Sequence, residues 1–571
     1  MFDLKQIFAT KLSELVGLPS SDIESHISAP PKPDMGDLAF PCFALSTKLR
    51  QSPAKIASDL AEKFVCDDLF VKVSAAGPFL NVFVDGAQIA TSIIDKILVE
   101  DNGYGSCEIG AGHTVVADYS SPNIAKHLGV HHLRSTMIGN AICNLHEKCG
   151  YKVARVNYLG DWGTQFGKLL AALSETNYSM DDLSIDTIAH IYVAFTKRAE
   201  ERPELNDEAR AWFKKLEDGD ELATNIWKGL KEASLKEFEN VYQRLGVKFT
   251  QIDGESNYSQ AALDVVQECL DKGVAVVGDQ GAIVVEMSGG DVPCMLQKSD
   301  GATTYLARDV GAAIKRFADH GFEKMLYVVG QAQAFHFKQV FFVLEKMGYD
   351  FWKKCHHIPF GLLKFQGAKF SSRQGNMLLL KDVLDTARDE VAATVKEKGN
   401  DISKEAEDHI GMGAVIFADL SGKRNRDVNF SWEDILSFEG NTGPYLQYTV
   451  ARCWGIVSKS AKDTASITEL LEDESFEAGL LRLVSAEEKR VLLKLAQFEK
   501  SIVESTKGCD PAILCQYALS LARLTNKFVH NIRVVQKDKQ LQLARVTLIH
   551  CIITTLNEAM RIIGIVPMEK M

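Results

Sequence analysis

The strongest hydrophobic pattern of the chain lies between residues 115 and 145. A short apolar run at 115–117 predicts a buried strand. The Ser, Pro and Asn residues at 120–123 favour a loop after it. Apolar residues then recur every fourth position, which predicts an amphipathic helix, at Leu133, Met137, Ala141 and Leu145. A strand, a polar loop and a helix start together predict a ligand site beyond the carboxyl end of the strand.

The polar positions of this unit suit an anion. The free N–H groups and the positive end of a helix favour negative charge. The loop and the first helical turn also carry a set of basic and imidazole side chains, Lys126, His127, His131, His132 and Arg134. These residues fit a polyphosphate. The simpler alternative is a strand–helix unit with an exposed basic turn.

The pattern elsewhere divides the chain into further units. Near the start, SPAKIASDLAEKF predicts a helix with Ser52 as its cap and Pro53 in its first position. VKVSAAGPFLNVFVD predicts two short strands around a turn, and YKVARVNYL predicts another strand. From about residue 175 to residue 247 charged and apolar residues alternate at helical spacing, which indicates an inserted helical subdomain. GAIVVEM at 281–287 then predicts a strand.

The last part of the chain is predicted to be helical. Asp510 is predicted to cap a helix whose first position is Pro511, in the same way as Ser52 and Pro53. The final helix is expected to end near Gly564, with Pro567 beyond it.

Length, composition and charge limit the class of protein. With 571 residues the chain is too long for one core, so we expect three or four domains. A composition of 46% hydrophobic and 25% charged residues is typical of soluble globular proteins. No apolar run reaches the roughly 18 residues of a membrane span, and the amphipathic start lacks signal-peptide features. The net charge of −12 argues against indiscriminate nucleic-acid binding but leaves room for a local basic track.

The cysteines and histidines indicate no dedicated metal site. None of the 12 cysteines forms a C-x-x-C pair, which favours reduced cytosolic thiols. Cys355, His356 and His357 are adjacent, and adjacent residues rarely ligate one ion together.

The central unit resembles the first signature of class I aminoacyl-tRNA synthetases, specifically of the arginyl-tRNA synthetases. SSPNIAK and HHLRST match on both sides, and NYLGDWGTQFG matches further along. The middle departs, because the His-x-Gly-His positions are occupied by Gly129, Val130, His131 and His132. His127 or His131 is expected to occupy the space of the missing His if the loop takes another path.

The resemblance covers essentially the whole chain and implies its architecture. The fold class is α/β, with a Rossmann-like nucleotide-binding catalytic domain that carries a helical insertion. A small α+β N-terminal domain precedes it and an all-α anticodon-binding bundle follows. The expected boundaries are 1–87 for the N-terminal domain that contacts the tRNA D-loop, 106–395 for the catalytic domain with its insertion at about 175–295, and 396–571 for the helical domain.

The resemblance also implies the amino-acid site. A guanidinium is held selectively by a carboxylate in a bidentate pair. In the string SDGATTYLARD, Tyr305 and Asp309 match the residues that bind the guanidinium. The remaining substrate residues, which hold the rest of the amino acid including its α-amino group, are expected to be Asp118, Ser121, Asn123 and Gln333.

The ATP site is implied by two signatures. KFQGAKFSSRQGN resembles the second one, and its five positions are Lys369, Phe370, Ser371, Ser372 and Arg373. Ser372 occupies the position of a lysine that steadies the ATP phosphates in other class I enzymes. Lys126 is expected to contact the phosphates instead. The implied catalytic residues are Lys126, His132, Ser371, Ser372 and Arg373, and the implied ATP-binding residues are Lys126, His131, His132, His336 and Lys369. ATP is the expected substrate, with Mg²⁺ bound to its phosphates.

Two surfaces are implied for tRNA. In the N-terminal domain Phe79 would stack on a base and Asn81 would read its edge. In the helical domain Tyr445, Tyr448 and Arg452 share one helix face, and the terminal Met571 belongs to the same surface. The alternatives are that Phe79 is a core residue and that the two tyrosines belong to a core stripe.

The resemblance implies an arginine–tRNA ligase, a cytoplasmic monomer that uses ATP to activate L-arginine and transfers it to tRNA(Arg), with neither a membrane nor DNA as a partner. Two alternatives stay open. One is a class I synthetase for another amino acid. The other is a catalytically impaired tRNA-binding paralogue, in which the altered first signature marks lost chemistry.

Overall fold

The structure is a computed structural model that describes residues 4–176, 183–287, 291–365, 378–397, 399, 401–460 and 478–571. Three units follow one another along the chain: a small mixed unit, a unit built on a parallel sheet, and a helical unit.

The first unit is a three-stranded antiparallel sheet covered by helices. Its elements are α1 Leu4–Val16, α2 Ser20–Glu24, β1 Leu38–Pro41, α3 Phe43–Leu49, α4 Pro53–Lys63, β2 Phe70–Ala76, β3 Phe79–Val84 and α5 Gly86–Glu100. The strand order is β1-β3-β2. The predicted cap of α4 is confirmed, because Ser52 Oγ accepts a hydrogen bond from the Lys55 N–H at 3.4 Å.

The second unit contains the largest sheet. Its strands are β4 Thr114–Asp118, β5 Lys152–Leu159, β6 Gln251–Gly254, β7 Val276–Val277, β8 Ile283–Val285, β9 Cys294–Gln297, β10 Lys324–Tyr327 and β11 Cys355–His357. Its helices are α6 His131–Lys148, α7 Gln165–Ser174, α8 Ile185–Glu201, α9 Glu204–Glu217, α10 Glu221–Arg244, α11 Ser259–Asp271, α12 Tyr305–His320 and α13 Ala334–Lys346.

The order of the main sheet determines where a ligand can bind. Five strands pair in parallel in the order β11-β10-β4-β5-β6. The chain proceeds outward from β4 to β6 on one side and then returns to β10 and β11 on the other. The strand order therefore reverses between β4 and β10, and the carboxyl ends of these two strands flank a topological switch point.

Inserted helices occupy the first part of the predicted insertion. Helices α8 to α10 fill residues 185–244, and β6 at 251–254 then pairs with β5 in the main sheet. Strands β7, β8 and β9 form a separate antiparallel sheet, in which β8 lies inside the strand predicted at 281–287. The short sequence QIDG carries no strand periodicity, and only its pairing with a distant strand reveals it. The domain boundaries themselves stay a prediction.

The third unit is mainly helical. It contains β12 Leu363–Phe365, α14 Leu380–Glu397, α15 Lys404–Leu420, β13 Val428–Phe430, α16 Trp432–Ile435, α17 Gly443–Ser460, α18 Ala486–Leu495, α19 Phe498–Gly508, α20 Pro511–Asn531 and α21 Lys539–Ile563. The predicted start of α20 and the predicted end of α21 are confirmed. Asp510 Oδ1 accepts from the Ala512 N–H at 3.3 Å, and Gly564 ends α21 in the left-handed conformation with φ 86°.

Helix α21 is apolar because it lies in the core. It is long and apolar enough to cross a membrane, yet 83% of its most apolar window is buried inside the fold. It packs against α17 and α20 of its own unit and against α6 of the parallel-sheet unit. The hydrophobic core is therefore continuous from the first signature helix to the helical unit.

Candidate active site

The loop between β4 and α6 lies at the switch point and is held in a strained conformation. Ser120, Ser121 and Ala125 all have positive φ, at 71°, 49° and 62°. Such residues cost about 1–3 kcal/mol each and persist where the surrounding structure imposes them. The Ser120 N–H donates to Ser135 Oγ at 2.9 Å, and the Ala125 N–H donates to Ser234 Oγ at 2.8 Å. The loop is thus fixed from α6 and from the inserted helix α10.

Asp118, at the end of β4, faces the protein interior. Its Oδ2 accepts from Arg316 Nη1 at 2.7 Å, and its Oδ1 accepts from Ser121 Oγ at 2.9 Å. Both partners in the ion pair are buried, with side-chain exposures of 6% and 1%. Burial raises the pKa of Asp118, and Arg316 opposes this shift. Both oxygens of Asp118 therefore already have one protein partner below the surface, and direct contact of Asp118 with the substrate stays a prediction.

Asn123 lies at the exposed top of the loop. Its backbone bridges to Gly160, and a Cβ built on Gly160 would lie only 1.8 Å from Asn123 Oδ1. Position 160 therefore requires glycine, because any side chain would displace the Asn123 amide. Ser121 differs, since its hydroxyl is turned inward to Asp118.

The first turn of α6 presents two imidazoles. The rings of His131 and His132 lie 4.0 Å apart between centroids. His132 Nδ1 lies 3.1 Å from the backbone nitrogen of Gly129, which fixes the ring against its own loop. Burial, reinforced by the neighbouring His131, lowers the pKa of His132 to about 4, and burial also lowers the pKa of His131. Both rings are neutral at pH 7, and a neutral imidazole still carries one N–H donor.

His127 does not take the place of the missing signature His. Its Nε2 lies 3.0 Å from Asp186 Oδ1 and its Nδ1 lies 3.6 Å from Glu237 Oε1. Both carboxylates belong to inserted helices, so this ring is turned away from the first turn of α6. Lys126, its neighbour, is exposed, and no ion pair joins it to an acidic residue within the described ranges.

The second signature lies outside the described residues, including Lys369, Phe370, Ser371, Ser372 and Arg373. The chain that follows it is described and returns to the first signature. The Val130 N–H donates to the Leu378 carbonyl at 2.9 Å, and the Leu380 N–H donates to the Leu128 carbonyl at 2.8 Å. The backbone on the far side of the second signature is therefore paired with the loop of the first.

A charged cluster lies at the start of α12. Asp309 Oδ2 accepts from His336 Nε2 at 2.6 Å, and both side chains are about one-quarter exposed. Arg308 pairs with Glu255 at 3.3 Å and lies 5.7 Å from the centre of the Tyr305 ring. His336 is thus in contact with the predicted guanidinium carboxylate. Gln333 is exposed on the same segment, three residues before His336.

Glu255 belongs to this cluster but was not singled out from the sequence. It follows β6, the strand that the sequence pattern also missed. Burial raises the pKa of Glu255 to about 7, the Arg308 guanidinium opposes the shift, and the negative charge of Asp309 adds to it. The signal that could have identified it is an acidic residue directly after a strand of a parallel sheet.

The two predicted N-terminal tRNA residues have different environments. Phe79 is 37% exposed and packs edge-to-face on the exposed Phe43 at 6.1 Å, so it is not a core residue. Asn81 is only 1% exposed and lies in the central strand opposite Ala39 and Ser74. The amide of Asn81 is thus buried in this structure, and its contact with a base edge stays a prediction.

The predicted tRNA face of α17 is partly structural. Asn526 donates to the Tyr445 hydroxyl at 3.0 Å and accepts from Arg452 Nη1 at 3.0 Å. Tyr445 is partly buried and packs on the core, whereas Tyr448 is 45% exposed. The core-stripe alternative therefore fits Tyr445 and not Tyr448. Met571, at the chain end, is partly exposed.

No group of three potential metal ligands occurs in the described part of the chain. Cys355 and His357 point to different surroundings: the thiol is buried, and His357 Nε2 lies 2.9 Å from the Val329 carbonyl oxygen.

Family models cover nearly the whole chain. They are described as "Arginyl tRNA synthetase N terminal domain" at residues 3–84, "tRNA synthetases class I (R), catalytic domain" at 93–432, and "DALR anticodon binding domain" at 446–571.

Individual proteins match along their full lengths. The chain is 41% identical to the arginine–tRNA ligase of Clostridium perfringens, covering 100% of both sequences, and 41% identical to that of Exiguobacterium sibiricum, covering 99% and 100%. Its fold is similar to that of the Thermus thermophilus arginyl-tRNA synthetase, with a TM-score of 0.78 at 21% identity and full coverage of both chains. The Plasmodium falciparum arginyl-tRNA synthetase gives a TM-score of 0.78 at 24% identity, covering 100% and 98%.

Proposed function

The chain belongs to the arginyl-tRNA synthetase family, and from this premise we propose how its residues carry out arginine–tRNA ligation. The arginine carboxylate attacks the α-phosphorus of ATP, and diphosphate leaves. A hydroxyl of the terminal adenosine of tRNA then attacks the carbonyl of the arginyl-adenylate, and AMP leaves. Neither step requires a covalent bond to the protein, so catalysis consists of positioning and charge stabilisation. The full-length matches give no support to an impaired tRNA-binding paralogue.

The observation that carries the substrate proposal is the excess of negative charge beside α12. Asp309 and Glu255 lie near enough for the charge of one to raise the pKa of the other. Asp309 Oδ1 has no hydrogen bond to any described residue, so it can accept from a substrate guanidinium. A cation bound there offsets the repulsion between the carboxylates, and a planar guanidinium can engage an oxygen pair in a way that an ammonium cannot. We assign the guanidinium to Asp309 and Glu255, with Tyr305 exposed at the rim.

The remaining roles follow from position. Asn123 and Gln333, which are exposed beyond the carboxyl ends of β4 and β10, are assigned to the backbone of the amino acid. Lys126, His131 and His132 are assigned to the ATP phosphates, together with the second-signature residues. Asp118 acts indirectly, by fixing Arg316 and the Ser121 hydroxyl. Mg²⁺ bound with ATP would neutralise part of the phosphate charge.

We further propose a cytoplasmic monomer without a membrane or DNA partner. All residues assigned to the amino acid and to ATP come from one chain, so the site needs no second copy. The twelve free cysteines suit a reducing compartment.

Arginine-dependent exchange of diphosphate into ATP, measured with and without tRNA, tests the activation step. We expect exchange with arginine and none with lysine or glutamine, because neither presents a planar cation to Asp309 and Glu255. Exchange that depends on a different amino acid, or folded protein that binds tRNA without exchange, would contradict the proposal.

The exposed face of α17 is tested by Tyr448→Ala. Loss of a stacked base is worth about 1–3 kcal/mol, so the KM for tRNA should rise while the KM for ATP stays constant. Tyr445→Phe is the matched control, since it removes only a hydroxyl bonded to Asn526. If aminoacylation is indifferent to the loss of Tyr448, this face is not a tRNA contact.

A further inference from the structure

Arg134 is a signature residue whose side chain never reaches the active-site surface. It lies in the first turns of α6, two residues after His132, and its side chain is 1% exposed. Its Nε donates to Asp419 Oδ1 at 2.7 Å, and Asp419 is completely buried. Its Nη1 donates to two backbone carbonyls, of Gly361 at 2.8 Å and of Arg426 at 2.9 Å. One guanidinium therefore joins three other segments of the chain to the first signature helix.

The three segments belong to different parts of the fold. Asp419 lies at the end of α15, which packs on α17 and α20 of the helical unit. Gly361 precedes β12, and Arg426 precedes β13, which pairs with β12 in parallel. A Cβ at Gly361 would lie 2.6 Å from the backbone of Arg426, so these strands meet in close contact beside the guanidinium. Arg134 thus lies where the catalytic sheet unit and the helical unit join.

The interaction is specific in its geometry as well as its charge. Burial raises the pKa of Asp419, and the Arg134 charge opposes the shift. The bonds to Asp419 and to the two carbonyls use separate nitrogens of one planar fork, which an ammonium group cannot reproduce. Asp419 Oδ2 and Arg134 Nη2 form no hydrogen bond to any described residue. Removing either partner would leave the other charge buried and unpaired, which is costly.

We propose that Arg134 and Asp419 form a positioning pair for adenylate formation. The pair fixes the rotation and depth of the first turn of α6 against α15 and β12, and this turn carries His131 and His132. Donors to a transition state must be held to within a fraction of an ångström, so a small shift of this turn reduces the rate. This inference rests on the proposed function, because the proposed function is what assigns His131 and His132 to the ATP phosphates.

Arg134→Lys is the decisive variant, and Arg155→Lys is its matched control. Arg155 is also a buried arginine bonded to α6, but its partners Glu147, Asn140 and Asn144 lie in the other half of that helix. In the full-length protein, kcat for arginine-dependent exchange should fall about 10²-fold in Arg134→Lys, the scale for misplaced reacting groups. The KM for arginine and the Kd for tRNA should stay within about twofold, as for changes remote from a contact. Arg155→Lys should lower Tm by about as much as Arg134→Lys does, but its kcat should stay within about twofold of wild type.

Asp419→Asn is the second variant, and it should reproduce the kcat loss with the charge removed from the other partner. The inference is overturned if folded Arg134→Lys and Asp419→Asn keep wild-type kcat, or if Arg155→Lys loses as much. It is also overturned if neither variant folds while Arg155→Lys does, because the pair then only stabilises the protein. Wild-type protein without exchange would instead contradict the proposed function and leave these comparisons without a baseline rate.

Discussion

The two ends of the active site use opposite electrostatic arrangements. At the amino-acid end three carboxylates each contact a basic or imidazole side chain: Asp118 contacts Arg316, Glu255 contacts Arg308, and Asp309 contacts His336. At the phosphate end Lys126 is exposed without an acidic partner among the described residues, and the imidazoles of His131 and His132 are neutral.

The difference matches the charge of the ligand that each end is proposed to bind. A cationic substrate is selected by carboxylates held in fixed positions, and buried carboxylates must be paired to remain ionised. A polyphosphate is bound by donors, and neutral imidazoles can donate without facing each other as like charges. The amino-acid end is therefore built from carboxylates that contact basic or imidazole side chains, and only the Asp118–Arg316 pair is fully buried. The phosphate end depends on backbone geometry and on uncharged rings.

The largest expected effect lies at the phosphate end. His132→Ala removes a preorganised donor, and kcat for arginine-dependent exchange should fall about 10²–10³-fold. The KM for arginine should change little, since the amino-acid end is intact. His113→Ala is the control, because this exposed residue precedes β4, at the end of that strand opposite to the signature loop. Exchange at the wild-type rate in His132→Ala would contradict the assignment of neutral imidazole donors to the phosphate end.

The next effect lies at the amino-acid end. Asp309→Asn keeps the shape of the side chain but removes the charge-assisted pair, so kcat/KM for arginine should fall by roughly 2–4 kcal/mol. The ATP KM measured at saturating arginine should be unaffected. Asp291→Asn provides the same substitution at an exposed ion pair with Lys338. An unchanged kcat/KM in Asp309→Asn would remove this residue from the substrate site.

The raised pKa of Glu255 gives a smaller and pH-dependent effect. Its carboxyl titrates at about 7 instead of its ordinary 4.5, and a bound guanidinium favours the ionised form. The KM for arginine should therefore fall as the pH rises from about 6 to 8, by about tenfold, the change in the ionised fraction. Glu255→Gln should remove this dependence and leave the KM high throughout. A pH profile that is the same in wild type and variant would exclude Glu255 from the pair.

The smallest effect is expected at His127. Its ring faces Asp186 and Glu237, so His127→Ala should leave exchange within about twofold of wild type. His131→Ala is the informative comparison, because the His131 ring contacts the His132 ring and is the remaining candidate for the missing signature donor. A large loss in His127→Ala alone would show that the loop rearranges in the working enzyme.

Local patterns gave a substantial part of the fold from sequence. The strand at 114–118, the helix from 131, and the caps Ser52 and Asp510 depend on residues close to one another, and the structure confirms them. The signature strings also led to the family and to the fold class, because a long ordered motif is far more specific than periodicity. The strand β6 was missed because a short edge strand has no pattern of its own and is defined by its partner.

The sequence by itself determined the family, the fold class and the identity of the chemical groups, since these depend on residue types in order. Tertiary structure alone decided which of these groups are exposed and which are buried. Asp118 and Asn81 match their motifs by position, yet pairing with Arg316 in one case and the central strand of a sheet in the other directs them inward. Glu255, which no motif marked, is brought beside Asp309 because β6 joins the main sheet. Orientation and charge coupling arise from contacts between segments that are remote in sequence, and no local pattern encodes them.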